Sequence, residues 1–263
     1  MDETAAAIHC LKPGRRIWVV SFIYGQVQRL MAIHKAMANE YKPGDQIIYL
    51  GNYLGFSKDG IETMDELLLF RRALLASAGT DYNDIVYLKG RQEEYWRMFL
   101  QLYLSPDPEK AYTAMLADGL DGSIKSYNGD PQQGLAAVRT GSSAIAKWVD
   151  EIRTYQKSCS GHYDLLIQNL YYAAVLPKTL LFVSSGVDPD NPLEKQREEF
   201  WAKPAARQQP YPGVKFLVHG EGLNMPVGLA IENNGVVTVN GSPEHLSAVL
   251  FDADTTPARI IEV

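Results

Sequence analysis

Residues 17–23, Ile-Trp-Val-Val-Ser-Phe-Ile, are apolar at every position but Ser21 and rich in β-branched side chains. Such a run marks a strand buried on both faces, so layers of chain must cover it above and below. After Gly25, Leu30, Ile33, His34 and Met37 recur at helical spacing, and His34 reads as a boundary residue of that packed helix. Pro43-Gly-Asp45 turns into a second strand over residues 46–50. Thr63-Met-Asp-Glu66 has the form of a capping box opening a helix, with Leu67, Leu68, Leu74 and Leu75 inward and Gly79 as its stop. Residues 84–89 give a third strand. Strand, helix, strand, helix, strand predicts a parallel sheet with crossovers.

The pattern changes over residues 92–178, which read as a helical insertion. Helices are expected over 93–104 and 143–157, with Tyr95, Trp96, Phe99 and Trp148 on their apolar faces. Between them Pro106, Pro108 and Asn128-Gly-Asp-Pro131 read as turns. Strands resume at 180–183 and 214–219. Short strands near 228–232, 236–239, 248–251 and 259–262 predict a second, mixed sheet. The expected organisation is an N-terminal extension, residues 1–15, followed by one domain over 16–263.

Of 263 residues, 46% are hydrophobic and 21% charged, the composition of an ordinary soluble globular chain. A net charge of −6 without a basic tract argues against nucleic acid or anionic membrane as a partner. No apolar run is long enough to span a bilayer. Cys10 and Cys159 are the only cysteines, so no disulfide framework or zinc knuckle is signalled, and the cytoplasm is the expected compartment.

Five apolar runs each lead into a short segment: Ser21-Phe-Ile-Tyr-Gly25, Gly51-Asn-Tyr-Leu-Gly-Phe56, Gly90-Arg-Gln-Glu93, Val183-Ser-Ser-Gly-Val187 and Val218-His-Gly-Glu-Gly222. In order and spacing they resemble the calcineurin-like metallophosphoesterases, specifically the phosphoprotein-phosphatase branch with bacterial Ser/Thr phosphatases and diadenosine tetraphosphatases. That branch carries G-D-x-H-G, G-D-x-x-D-R-G, G-N-H-E, H-A-G and G-H after successive strands. The flanks Pro43-Gly-Asp-Gln-Ile-Ile-Tyr-Leu-Gly51 and Val86-Tyr-Leu-Lys-Gly90 share the likeness, which runs from about Arg16 to Asp252. It implies an α/β (mixed α+β) fold, a metallophosphoesterase-type two-sheet β-sandwich flanked by helices.

The same resemblance implies that the chemistry has been replaced. Phe22 stands where the family has its metal-binding Asp, and Tyr24 where it has the His. Asn52 takes the place of the Asp that bridges two metals, Gly55 that of the Asp orienting the catalytic His, and Phe56 that of the phosphate-clamping Arg. Arg91 replaces the ligand Asn and Gln92 the general acid, while Gly90 and Glu93 persist. Ser184 stands for the His of H-A-G and Glu221 for the last ligand His, with His219 outside the ligand set. Two divalent ions need converging carboxylates, imidazoles and amides, so no catalytic, cofactor or metal residue is assigned. The persistent Gly25, Gly51, Gly90 and Gly186 are expected at tight strand-to-loop turns, where a Cβ is costly if φ is positive.

Two readings stay open for several of these residues. Phe22, Tyr24 and Phe56 either line a remodelled pocket or fill the space two metals would take. Arg91, with Asn52 and Ser184, either binds a phosphate or carboxylate or pairs with Glu221. His219 is either a hydrogen-bonded core histidine or a pocket residue. Asp188 and Asp190 are better explained by a turn with Pro189 and Pro192 than by a metal. The leading expectation is a pseudophosphatase that binds a protein partner or a small phosphorylated ligand, with no cofactor. The alternatives are an altered phosphohydrolase using manganese, iron or zinc, and a nucleotide or polyphosphate sensor.

Overall fold

The computed structural model describes residues 7–77, 79–202, 208–221, 228–231 and 234–263. Its opening elements are β1 (Ile8–Cys10), β2 (Ile17–Val20), α1 (Val27–Glu40), β3 (Gln46–Tyr49), α2 (Gly60–Leu75) and β4 (Ile85–Tyr87). A helical block follows: α3 (Arg91–Leu100), α4 (Pro108–Ala117), α5 (Leu120–Ser126), α6 (Pro131–Thr140) and α7 (Ser142–Ser158). The chain then returns to strands: β5 (Ala173–Leu176), β6 (Leu180–Val183), β7 (Phe216–Glu221), β8 (Gly228–Ile231), β9 (Val236–Asn240), β10 (Ser247–Phe251) and β11 (Pro257–Glu262).

Alternation along the strands builds the layers. In β2, β3, β4 and β10, Val19, Ile48, Val86 and Val249 face the second sheet. Their neighbours Trp18, Tyr49, Tyr87 and Leu250 face the helices. With both faces buried, these strands read as continuous apolar runs. The order is β11-β10-β2-β3-β4 in one sheet and β1-β5-β6-β7-β9-β8 in the other. β2, β3 and β4 pair parallel, as the crossover pattern requires. Leu180, Phe182 and Val218 complete the core between the sheets.

Several sequence expectations are corrected here. The last four strands do not form a sheet of their own: β8 and β9 join β7, whereas β10 and β11 extend the β2 sheet. Residues 8–10, set apart as extension, form β1, which pairs parallel with β5. Both strands were missed because each is very short and lacks a β-branched run; β5 also trims the end of the helical insertion. Helices α4 and α6 were missed too. Each begins at an Asp-Pro pair read as a turn, with Asp107 accepting from the Lys110 N–H and Asp130 from the Gln132 N–H. Glu232, at the end of one expected strand, lies outside the described residues.

Helix α2 starts at Gly60, so Thr63 and Glu66 lie inside it and form no capping box. Glu66 has another task. Its carboxylate lies 2.6 Å from Nδ1 of His34, whose Nε2 is 2.9 Å from the Tyr49 hydroxyl. His34 is therefore a core residue, stacked on Phe70 with ring centroids 3.9 Å apart. The preceding residue, Asp65, reaches the opposite way to the buried His162 at 3.0 Å.

Candidate functional site

Three loops leave the adjacent ends of β2, β3 and β4, and backbone bonds join them. The N–H groups of Ile23 and Tyr24 donate to the Asn52 carbonyl at 3.2 and 2.7 Å, and Gly25 donates to Tyr53 at 2.9 Å. Glu93 ties the second loop to the third. Its carboxylate accepts from the N–H groups of Asn52, Tyr53 and Gly90 at 2.8, 2.7 and 2.9 Å. Burial is the larger influence on Glu93 and raises its pKa to about 6, against the lowering effect of those donors.

The close approach explains the glycines. Gly25 and Gly51 take φ of +72° and +100°, as expected. Gly90 does not, with φ at −93°, and Gly186 is outside the left-handed region as well. Gly90 is needed instead because a Cβ would lie 2.5 Å from the Asn52 nitrogen. Three side-chain-bearing residues of the first two loops are also left-handed: Tyr24, Asn52 and Phe56, with φ of 52°, 54° and 54°. Asn tolerates this conformation; Tyr and Phe in it cost about 1 kcal/mol or more each.

The aromatic rings meet where these loops converge. Phe22 and Tyr24 contact edge to face at 5.8 Å, and Tyr24 meets Phe56 at 5.2 Å in the same manner. Phe22 and Tyr24 are buried members of the core between the sheets, and burial raises the Tyr24 phenol pKa. Phe56 is 36% exposed and lies against Gly119, which has φ of +96°. Of the two readings offered for the aromatics, filling describes Phe22 and Tyr24, whereas Phe56 keeps one face toward solvent.

Most of the polar residues are committed elsewhere. Oδ1 of Asn52 accepts from the Gln92 N–H at 3.0 Å, and Gln92 Nε2 donates to the Asp118 carbonyl at 2.6 Å. Gln92 also packs on Gly55, where a Cβ would come within 2.6 Å of its amide carbon. Arg91 pairs with Asp118 at 3.2 Å, not with Glu221, because the insertion folds back over this loop. Ser184 is fully buried, and its hydroxyl has no partner among the described residues. His219 is a buried core histidine, with Nδ1 against the Gly220 carbonyl and Nε2 against the Thr238 hydroxyl, each at 3.1 Å. Glu221 is exposed at the end of β7, and Gly222 lies outside the described residues. Asp188 and Asp190 form the expected turn, the Asp190 N–H donating to Asp188 Oδ1 at 2.9 Å.

These residues do not fit a two-metal centre. Two of the six positions implied as ligands hold buried rings, one holds a paired Arg, and the Asn52 oxygen already accepts a backbone N–H. No group of three or more His, Cys, Asp and Glu side chains among the described residues is placed to hold a metal ion. Beside the aromatic rings lies a groove of about 340 Å³, walled by Tyr24, Phe56, Asp59 and the first turn of α1 with Gln26 and Arg29. Sequence reasoning missed Asp118, Gly119 and Arg29 because no local pattern links them to the motif loops.

No protein-family sequence profile matches the chain, and no curated protein sequence does. Among solved structures, the chain is similar to a protein assigned as a diadenosine tetraphosphatase, with a TM-score of 0.52, 14% identity, and 98% of this chain and 97% of that chain covered. It is also similar to a cold-active protein tyrosine phosphatase, with a TM-score of 0.51, 10% identity, and coverage of 97% and 80%. The fold is therefore of the metallophosphoesterase type, a two-sheet sandwich with flanking helices.

Proposed function

We propose that this chain is a catalytically degenerate phosphoesterase-like protein that binds a protein partner or a small phosphorylated ligand instead of hydrolysing a phosphoester. The observation that carries the reading is the run of contacting rings, Phe22, Tyr24 and Phe56, at the convergence of the motif loops. Phe22 offers no donor atom at its implied ligand position, and burial disfavours the phenolate that Tyr24 would need to bind a cation. Gln92 cannot supply the leaving-group proton, because an amide does not titrate.

The groove beside the rings supports binding. Arg29 is held by Gln26 Oε1 at 3.0 Å, and the first turn of α1 has no acidic residue, so the α1 wall favours an anionic group, while Asp59 across the groove opposes it. No helix among the described residues is long and apolar enough to cross a membrane. A cytoplasmic setting suits the two free cysteines.

Elemental analysis for manganese, iron and zinc, paired with a phosphatase assay, tests the loss of chemistry. The expected result is no stoichiometric metal, and turnover of p-nitrophenyl phosphate, phosphopeptides and diadenosine polyphosphates at the no-enzyme rate. A metal-dependent rate that disappears in Glu221→Ala would establish the altered phosphohydrolase instead. Titration with the same compounds, repeated with Arg29→Ala, tests the groove; binding that survives this change unaltered would place the ligand elsewhere.

A further inference from the structure

We propose, resting on the binding reading above, that the groove beside Tyr24 selects a small phosphate ester that also carries an ammonium group. Its opposed walls come from different segments: Gln26 and Arg29 from the start of α1, and Phe56, Ser57 and Asp59 from the loop between β3 and α2. Arg29 and Asp59 are the only charged residues among those lining it, one of each sign.

The fold uses neither charge. Arg29 bonds only the neutral amide oxygen of Gln26, at 3.0 Å, and Gln26 is fixed in turn, its Nε2 donating to the carbonyls of Ile23 and Ser242. Arg29 is thus held on its own wall. Asp59 stands at the N-cap of α2, where an Asp ordinarily accepts a first-turn N–H, yet its carboxylate makes no such bond. Among the described residues neither Arg29 nor Asp59 forms an ion pair, with the other or with a third group. Both residues are half-buried, so each gives up part of its hydration with no opposite charge from the protein in return.

Unlike charges on facing walls set the class of ligand. A simple anion gains from Arg29 and is repelled by Asp59, and a simple cation meets the reverse. A molecule with both charges gains at both walls. The phosphoryl group falls to Arg29, whose guanidinium fork matches two phosphate oxygens. The ammonium falls to Asp59, beside the Phe56 ring, which is 36% exposed and can meet a cation with its open face. Because Arg29 and Asp59 do not reach each other, the two ligand charges need a short spacer, and Tyr24 and Phe56 give that spacer apolar surface. A groove of about 340 Å³ is near the lower end of the ~300–1,000 Å³ of small-molecule sites, which suits an ester the size of phosphoethanolamine or phosphocholine. That ester is either a free compound or the headgroup of a lipid.

Calorimetric titration of the full chain with phosphocholine, phosphoethanolamine, inorganic phosphate and choline tests the selection. The two amine-bearing esters are expected to bind saturably and about tenfold or more tighter than phosphate or choline, the gain from one added charged contact. Asp59→Asn keeps a good N-cap residue and should erase that advantage while phosphate binds equally or more tightly. Arg29→Gln should weaken the esters and phosphate about tenfold while choline binds equally or more tightly. Co-sedimentation with phosphatidylcholine vesicles that is lost in Asp59→Asn would support the site and assign the ester to a lipid headgroup; ester binding without co-sedimentation would support it and assign the free compound. Phosphate binding as tight as that of the esters, or ester binding unchanged in Asp59→Asn, would overturn this inference and leave the groove a plain anion site. Absence of saturable binding by all four compounds would overturn it together with the groove reading.

Discussion

The ring of Phe22 rests on the backbone of Gly220: a Cβ at that glycine would come within 2.5 Å of the phenyl Cε1. The first motif loop and the end of β7 thus touch through one aromatic ring where the resemblance implies metal ligands. Gly220→Ala should cost about 1–3 kcal/mol by overpacking. Shortening the ring with Phe22→Val should shrink that cost, so the double-mutant cycle is non-additive. Equal costs for Gly220→Ala in both backgrounds, measured by denaturant unfolding, would refute the contact.

Phe22→Asp restores the carboxylate that the resemblance implies but buries it among apolar side chains with no cation. Removing a buried Phe costs about 3–5 kcal/mol, and an unpaired buried charge is at least comparable. The expected outcome is a large drop in the unfolding midpoint. A midpoint equal to wild type would mean that Phe22 lines an open pocket.

Glu93 gives a pH signature of known sign. Burial raises its pKa from an ordinary 4.5 to about 6, so the folded state binds the proton more tightly than the unfolded chain. Acidification from pH 6 to 4.5 therefore adds stability from this group, ~2 kcal/mol in all. Glu93→Gln should lose that increment from its stability–pH profile, while lowering stability at neutral pH by setting an amide N–H₂ against backbone donors. Parallel profiles for wild type and variant over this window would contradict the assignment.

His34 acts in the opposite direction. Its burial lowers the pKa, outweighing the raising effect of Glu66, so the neutral ring is favoured in the fold. Its contribution is present above the ordinary 6.5 and is lost as pH falls below that value. His34→Gln should flatten the acid-side decline and lower stability at pH 7 by about 1–2 kcal/mol, because the Glu66 and Tyr49 contacts weaken. Thermal unfolding between pH 5 and 7.5 checks both; an unchanged slope would remove His34 from the account.

The sheet that carries the three joined loops was readable because its strands are buried on both faces and so appear as apolar runs. β1 and β5 were not, since His-Cys and Ala-Ala carry no strand periodicity and their pairing is long-range. The Asp-Pro pairs at residues 107–108 and 130–131 did signal helix starts; reading Pro only as a breaker hid α4 and α6. The order of the motif loops was legible from glycine spacing, but the partners of their side chains were not. Arg91 meets Asp118, 27 residues away in an insertion that only the folded chain brings back.

Glu93 binds amides from two loops with a single carboxylate, so neither loop can lift from the sheet edge alone. Breaking the acceptor frees Asn52, Tyr53 and Gly90 together, and their amides should exchange with deuterium in one concerted opening. The rim around the aromatic rings is thus expected to open as a single unit. Whatever docks beside Tyr24 and Phe56 meets a surface already set in shape, and its arrival need freeze little of the backbone.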